Sequence, residues 1–350
     1  MLCDANQSGR TVTPRGGGTK MEWGNPPSRA GVILSATRLN SVIEHAWGDL
    51  TVTVEAGCTV AELQRTLAVH GQRLAVDVLW PERATVGGIL STNDSGALRL
   101  RYGGLRDLII GCTLALADGT LAKSGGKVVK NVAGYDLAKL ATGALGTLGV
   151  ITRAVFRLHP LPQNARTLTI SARDAGEAQK TIDAIQNSQL AHAALQARFA
   201  SGAAPEVDIL LEGTEAGIAA QELQIRKLAG AAAVVEGSGD VWSARQQLWE
   251  QPGTIGKLSV LPAEIGNIAG RLGDAVVQAT GIGWARLETG AAPELRRVIE
   301  RSGGALVIMR DAGGLDAWGT AGDTLPLMRA LKQQFDPRGV LNPGRFVGGI

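Results

Sequence analysis

The sequence predicts an α+β protein in two parts, and three observations carry that prediction. A stretch between Thr85 and Thr152 is punctuated by paired glycines at Gly87-Gly88, Gly103-Gly104 and Gly125-Gly126. Within it, a strand–turn–strand pattern over 108–117 and 121–123 turns at Asp118-Gly119, a dipeptide favoured in tight antiparallel hairpins. Beyond residue 165, strand-like and helix-like segments alternate, set apart by the proline-rich LHPLPQN at 158–164. A length of 350 residues suits about two domains.

Taken in order, residues 11–13 are β-prone and feed Pro14-Arg15-Gly16-Gly17-Gly18-Thr19. The three glycines read either as a flexible surface loop or as a backbone cradle, because an amide without a neighbouring Cβ can approach an anion closely. Residues 31–35 form a strand by composition, 38–40 a turn, and 51–56 an alternating strand. Residues 57–71 read as an amphipathic helix with Val60, Leu63 and Leu67 inward. With Gly87-Gly88, the first loop gives two separated anion cradles, the pattern that an elongated diphosphate ligand calls for. Neither GxGxxG opening a helix nor GxxxxGK[ST] occurs, and the glycines at 143, 146 and 149 have the wrong spacing. Nicotinamide-dinucleotide and P-loop readings are therefore weak.

In the second half, strands are expected over 166–172, 207–212, 233–236, 256–261, 283–288 and 305–309. Helices are expected over 175–186, with Ala178, Ile182 and Ile185 inward, and over 216–229. That pattern suits an α+β domain whose sheet is covered on one side. A helix over 325–335 closes this half, and DPRGVLNPGRF at 336–346 follows, with a tight turn at Asn342-Pro343-Gly344.

A net charge of +3, without a Lys/Arg run, gives no basis for nucleic-acid binding. No apolar run reaches the ~18 residues of a membrane span, and the polar start MLCDANQSGR lacks the apolar core of a secretory signal. Cys3, Cys58 and Cys112 are scattered, which argues against a disulfide framework, a zinc site or an iron–sulfur cluster and makes a reducing cytoplasm the expected location. Cys112 reads as a small buried apolar residue. His45, His70, His159 and His192 show no metal-ligand spacing, and no metal is expected.

Five segments occur in one order: PRGGGT, ERATVGGILSTNDSG, RYGGLRDLIIG, KNVAGYDLAKLATGALGTLGVIT and DPRGVLNPGRF. Together they resemble the FAD-binding fold of the vanillyl-alcohol oxidase / p-cresol methylhydroxylase (PCMH-type) superfamily. Within it, the nearest resemblance is to the FAD-binding subunits of bacterial glycolate oxidase (glycolate dehydrogenase). It is dense over 11–160 and 330–350 and thin over 165–325. The resemblance implies a PCMH-type FAD-binding domain at 1–160, an α+β cap or substrate domain at 161–335, and a return segment at 336–350. Members of the family usually begin with a further helix before the first strand, for which only ten residues are present here.

Carried over position by position, the resemblance implies that Arg15, Gly16, Gly17, Gly18 and Thr19 bind the FAD pyrophosphate through their amides. Thr85, Gly87 and Gly88 would line the pyrophosphate and ribityl from the other side, and Ser91, Asn93, Ser95 and Gly96 would continue that wall. Arg101, Tyr102 and Gly103 would lie near the cofactor, Gly149, Val150 and Ile151 would face the adenine half, and Asn342 would stand beside the flavin. Arg15, Arg101 and Arg106 are the nearby cations. Relatives with covalent flavin often carry a histidine where this chain has Thr19, so noncovalent FAD is expected. The related catalytic subunits carry an acidic residue where Ala144-Leu145 stands here, and a histidine-rich motif absent from this chain. No catalytic base can be named. Arg286, Arg310, Asp311 and Trp318, at strand ends, are the groups nearest to a substrate clamp in type.

Three functional readings stay open. One is an FAD-binding redox subunit of a complex that oxidises glycolate or another small 2-hydroxy acid, beside a catalytic flavoprotein and an iron–sulfur partner. It would be cytoplasmic, with any membrane association through those partners. The second is a self-sufficient FAD-dependent dehydrogenase or oxidase of a small hydroxy acid or alcohol. The third is a flavin-binding structural subunit without turnover of its own.

Overall fold

The computed structural model describes residues 1–29, 31–126, 135–288 and 290–350, so the KNVAG part of KNVAGYDL lies outside the described residues. The chain divides into two compact units. One comprises Met1–Ser95, Gly103–Leu161 and Thr320–Ile350; the other comprises Gly96–Tyr102 and Pro162–Gly319.

In the first unit a five-stranded antiparallel sheet runs in the order Val42–Ala46, Thr51–Glu55, Val150–Arg157, Ile109–Ala115, Leu121–Gly125. The hairpin expected at Asp118-Gly119 is present, with Gly119 at φ 91° and Leu116 N–H bonded to the Thr120 carbonyl at 2.8 Å. Helix Val60–Ala68 starts where the Thr59 hydroxyl accepts the Glu62 N–H. It buries Val60, Leu63 and Leu67 against Val52, Val54 and Phe156 of the sheet. Helix Val86–Thr92 adds Val86, Ile89 and Leu90 to the same core. Strands Val12–Arg15 and Val32–Ser35 pair in parallel, and a short helix, Leu2–Ser8, does precede the first strand.

The second unit is built on an eight-stranded antiparallel sheet. Its order is Val234–Glu236, Asn164–Ser171, Glu206–Gly213, His192–Phe199, Ala275–Gln278, Ile282–Leu287, Thr254–Ser259, Ala305–Arg310. Alternation along Glu206–Gly213 decides its two faces. Val207, Ile209 and Leu211 enter one apolar cluster with Ile182 and Ile185 of helix Ala175–Gln186, Ile218 and Ile225 of helix Glu215–Ala229, and Leu295 and Ile299 of helix Ala292–Arg301. Asp208, on the opposite face, is fully buried. Its carboxylate accepts Arg198 Nε at 2.7 Å, Thr169 Oγ1 at 2.9 Å and Gln196 Nε2 at 3.1 Å.

Two segments fall outside the expected boundaries. Residues 96–102 belong to the second unit: Arg101 donates to the Ala191 carbonyl at 2.7 Å, and the Tyr102 hydroxyl to Glu212 Oε2 at 2.5 Å. The closing helix, Leu325–Phe335, belongs to the first unit, where Lys332 donates to the carbonyls of Thr147 and Leu341, both at 2.8 Å.

Candidate functional site

Four segments of the first unit, distant in sequence, converge on one open cleft, about 710 Å³ when the solvent at its mouth is counted. Residues 14–21 form one wall. Thr85, Gly87, Gly88, Ser91 and Thr92 form the wall facing it. Leu145, Gly146 and Gly149–Ile151 form a third, and Asn342 with Arg345, together with Ala36 and Ala56, completes the lining.

The first two walls touch closely. A Cβ added at Gly16 would overlap the Thr85 hydroxyl, and one at Gly17 would overlap the Arg83 carbonyl. The glycines are thus required by the approach of one protein segment to another, before any ligand is considered. The Thr85 hydroxyl also accepts the Gly88 N–H at 3.3 Å and so starts helix Val86–Thr92. The third wall is tied to that helix by Gly143 N–H to the Leu90 carbonyl and Leu145 N–H to the Ser91 carbonyl, both at 2.8 Å. The C-terminal segment closes the ring. Val12 N–H bonds the Val340 carbonyl at 2.7 Å, Asn342 N–H bonds the Val12 carbonyl at 3.0 Å, and Asn342 Nδ2 donates to the Leu145 carbonyl at 2.7 Å.

Charge in the cleft has one sign among the described residues: Arg15, Lys20 and Arg345 line it, and no carboxylate or histidine does. Arg345 is buried, which pushes its pKa down, and it donates to the carbonyls of Trp23 and Lys20 at 3.2 Å and of Met21 at 2.5 Å. The Lys20 ammonium, equally buried, lies 3.2 Å from Asp94 Oδ2 between the rings of Trp23 and Trp80. Asn342 Oδ1 is buried in the cleft wall and accepts no hydrogen bond from the described residues. A cationic, amide-rich trough with a spare buried acceptor fits a dinucleotide diphosphate whose bases carry N–H donors.

Of the residues singled out from sequence, Arg15, Gly16, Gly17, Gly18, Thr19, Thr85, Gly87, Gly88, Ser91, Gly149, Val150, Ile151 and Asn342 all line this cleft. Asn93, Ser95, Gly96, Arg101, Tyr102 and Gly103 are not among its lining residues. Asn93 caps helix Val86–Thr92 in a left-handed conformation, and Gly103 turns at φ 80°. Arg106 is exposed and borders a different pocket, with Lys139 and Phe346.

Of the strand-end groups of the second unit, the Arg310 and Arg286 side chains are engaged in structure, while Asp311 and Trp318 are held through their backbone. Arg310 donates to the carbonyls of Gly253, Trp249 and Gln251, Arg286 pairs with Asp274, and the Asp311 carbonyl accepts the Thr254 hydroxyl. Trp318 N–H bonds Asp316 Oδ1 at 2.8 Å. Sequence reasoning missed Lys20, Asp94 and Arg345. The last had a signal, as the one cation inside the terminal NPGR run, whereas nothing local links Lys20 to Asp94.

Residues 1–125 match an FAD binding domain, and residues 320–346 match the C-terminal domain of FAD linked oxidases. The chain is 29% identical to glycolate oxidase subunit GlcE of Escherichia coli, over 99% of this chain and 96% of that one. It is 34% identical to glycolate oxidase subunit GlcD of Bacillus subtilis over 53% of this chain and 39% of the relative. It is 36% identical to a D-lactate dehydrogenase of Archaeoglobus fulgidus over 47% and 37% respectively. The chain thus spans under two-fifths of the length of those last two relatives. Among solved structures, an alkyldihydroxyacetonephosphate synthase superposes with a TM-score of 0.70 at 18% identity, covering 98% of this chain and 73% of the other, a likeness of fold. The chain thus carries matches to both domains of the FAD-linked oxidases, at its two ends, and these support FAD as its cofactor.

Proposed function

We propose that this chain is an FAD-binding oxidoreductase subunit of a complex that oxidises glycolate or a related small 2-hydroxy acid, passing electrons to partner subunits. The observation that carries this reading is the likeness to a glycolate oxidase subunit along almost the whole of both chains. The catalytic partner would be a second flavoprotein and the onward carrier an iron–sulfur subunit.

In this reading the amides of Gly16–Thr19 and Gly87-Gly88, with the Arg15 guanidinium, hold the diphosphate from two sides. Val150 and Ile151 flank the adenine half, and Asn342 Oδ1 accepts an N–H from one of the ring systems. Bound FAD supplies two-electron acceptance by the flavin ring. No covalent link is proposed, because Thr19 stands where a flavin-linked histidine would be. The cleft side chains bind and orient; none of them can serve as a general base at neutral pH, since the ionisable ones are cations. That supports a carrier role over self-sufficient turnover.

The test is anaerobic. Purified chain should carry about one FAD, released on denaturation, and its flavin should bleach with glycolate or D-lactate only when the two partner subunits are co-expressed. Turnover by the isolated chain at ordinary enzyme rates, about 10 per second, would replace the carrier reading with a self-sufficient dehydrogenase.

A further inference from the structure

The proposed function gives no role to the ion pair that Lys20, at the edge of the cleft, makes with Asp94. The Lys20 and Asp94 side chains are 4% and 0% exposed, with Nζ and Oδ2 3.2 Å apart. The ammonium also lies 3.3 Å from the Leu79 carbonyl and 3.3 Å from the Thr19 hydroxyl, while Asp94 Oδ2 accepts the Leu79 N–H at 3.0 Å. Trp23 and Trp80 flank the charge, with ring centroids 5.6 and 5.4 Å away. Lys20 directly follows the glycine loop that forms one wall of the cleft. Asp94 directly follows Asn93, the cap of the helix that forms the facing wall. A cation and an anion removed from water rarely stabilise a fold more than apolar side chains of the same volume would. Two charges buried here, one at the foot of each wall, fix a distance.

We infer that Lys20 and Asp94 are positioning residues that set the width of the diphosphate trough, joining the glycine loop to the helix Val86–Thr92 from beneath. This rests on the assignment of the cleft to FAD. The pair acts by holding the loop amides in place: Lys20 lines the cleft, but its ammonium is turned to Asp94. Its loss should weaken every ligand that carries the diphosphate, by the same factor, without costing the apoprotein its fold.

The experiment uses flavin-free full-length chain and two probes, FAD followed by fluorescence quenching and ADP as its competitor. The double variant Lys20→Met/Asp94→Leu removes both charges together, so neither is left unpaired. It should melt within a few degrees of the wild-type apoprotein, while FAD and ADP both bind at least tenfold more weakly, about 1.4 kcal/mol. Wild-type affinity in this variant, or a loss confined to FAD, overturns the proposal. Should the double variant fail to fold, Lys20→Arg decides. It keeps the charge for Asp94, but a planar guanidinium cannot meet Thr19, Leu79 and Asp94 as a compact ammonium does. A severalfold loss for both probes is expected, and unchanged binding overturns the proposal. If wild-type protein takes up neither probe, the FAD assignment itself has failed.

Discussion

Lys332 and Asp336 face each other one helical turn apart, Nζ to Oδ2 at 2.6 Å, at the C-terminal end of helix Leu325–Phe335. The ammonium also donates to the Thr147 and Leu341 carbonyls, and the carboxylate accepts Val340 and Leu341 N–H at 3.0 and 2.7 Å. Burial pushes the Lys332 pKa down, against the pull of Asp336. This pair ties the chain end to the glycine turn that forms the third wall of the cleft. Asp336→Ala would leave a buried cation facing carbonyls alone and strip two backbone amides of their acceptor. The expected cost is about 3–5 kcal/mol, read as a lower denaturation midpoint. Asp336→Asn, which keeps an acceptor, should cost less.

Gly17→Ala should empty the protein of flavin. The added Cβ would overlap the Arg83 carbonyl, so the loop must lift away from the wall that holds Thr85. Overpacking of this kind costs about 1–3 kcal/mol, and the displaced amides no longer meet the diphosphate. Gly48→Ala is the control, because nothing lies within 4 Å of its Cβ position. Flavin absorbance per chain after purification separates the two: near zero for the first, unchanged for the second.

Much of the fold was legible because local chemistry agreed with it. Helix Ala175–Gln186 matches its expected limits because Asp174 caps it, accepting the Glu177 N–H at 2.8 Å, and its apolar spacing is helical. Strand His192–Phe199 was missed: Ala193, Ala194 and Ala197 carry little strand signal, yet all are fully buried between the neighbouring strands Glu206–Gly213 and Ala275–Gln278. Helix Val86–Thr92 was hidden by Gly87 and Gly88, which disfavour a helix. Gly87 is needed all the same, because its Cβ position lies 2.9 Å from the Ala56 methyl. The glycine turns exposed the walls of the cleft. The side chains that brace them, Lys20, Asp94 and Lys332, depend on tertiary pairing, which no local pattern carries.

Thiol reactivity should single out Cys3. Cys112 is buried between strands and its pKa is pushed up to about 12 by burial, with Asp136 adding to the effect. Cys58 is buried and raised in the same way, while Cys3 is exposed on the first helix. Because the thiolate is the reactive form, native protein should take up one equivalent of a maleimide at pH 7, and unfolded protein three. Cys3→Ser should abolish the native reaction.

Acid should weaken the fold first through two histidines, one in each unit. Burial lowers the pKa of His159, with Arg157 and Arg73 adding to the effect; burial also lowers that of His192, with Arg101 contributing. Both start from an ordinary value of 6.5. A base whose folded pKa is depressed takes up protons more readily when unfolded, so the unfolded state gains as pH falls. The contribution of each neutral imidazole is therefore intact above pH 6.5 and is lost progressively below it, down to the depressed folded value. The paired carboxylates Glu177 and Glu222, whose pKa values are lowered by Arg173 and by Arg226 with Arg166, begin to cost stability only near and below their ordinary 4.5. Denaturant midpoints at pH 7, 6 and 5 should thus fall for the wild type and fall less for His159→Gln and His192→Gln. The double variant should be flattest over this range. A double variant as acid-sensitive as the wild type between pH 7 and 5 would move the effect to other groups.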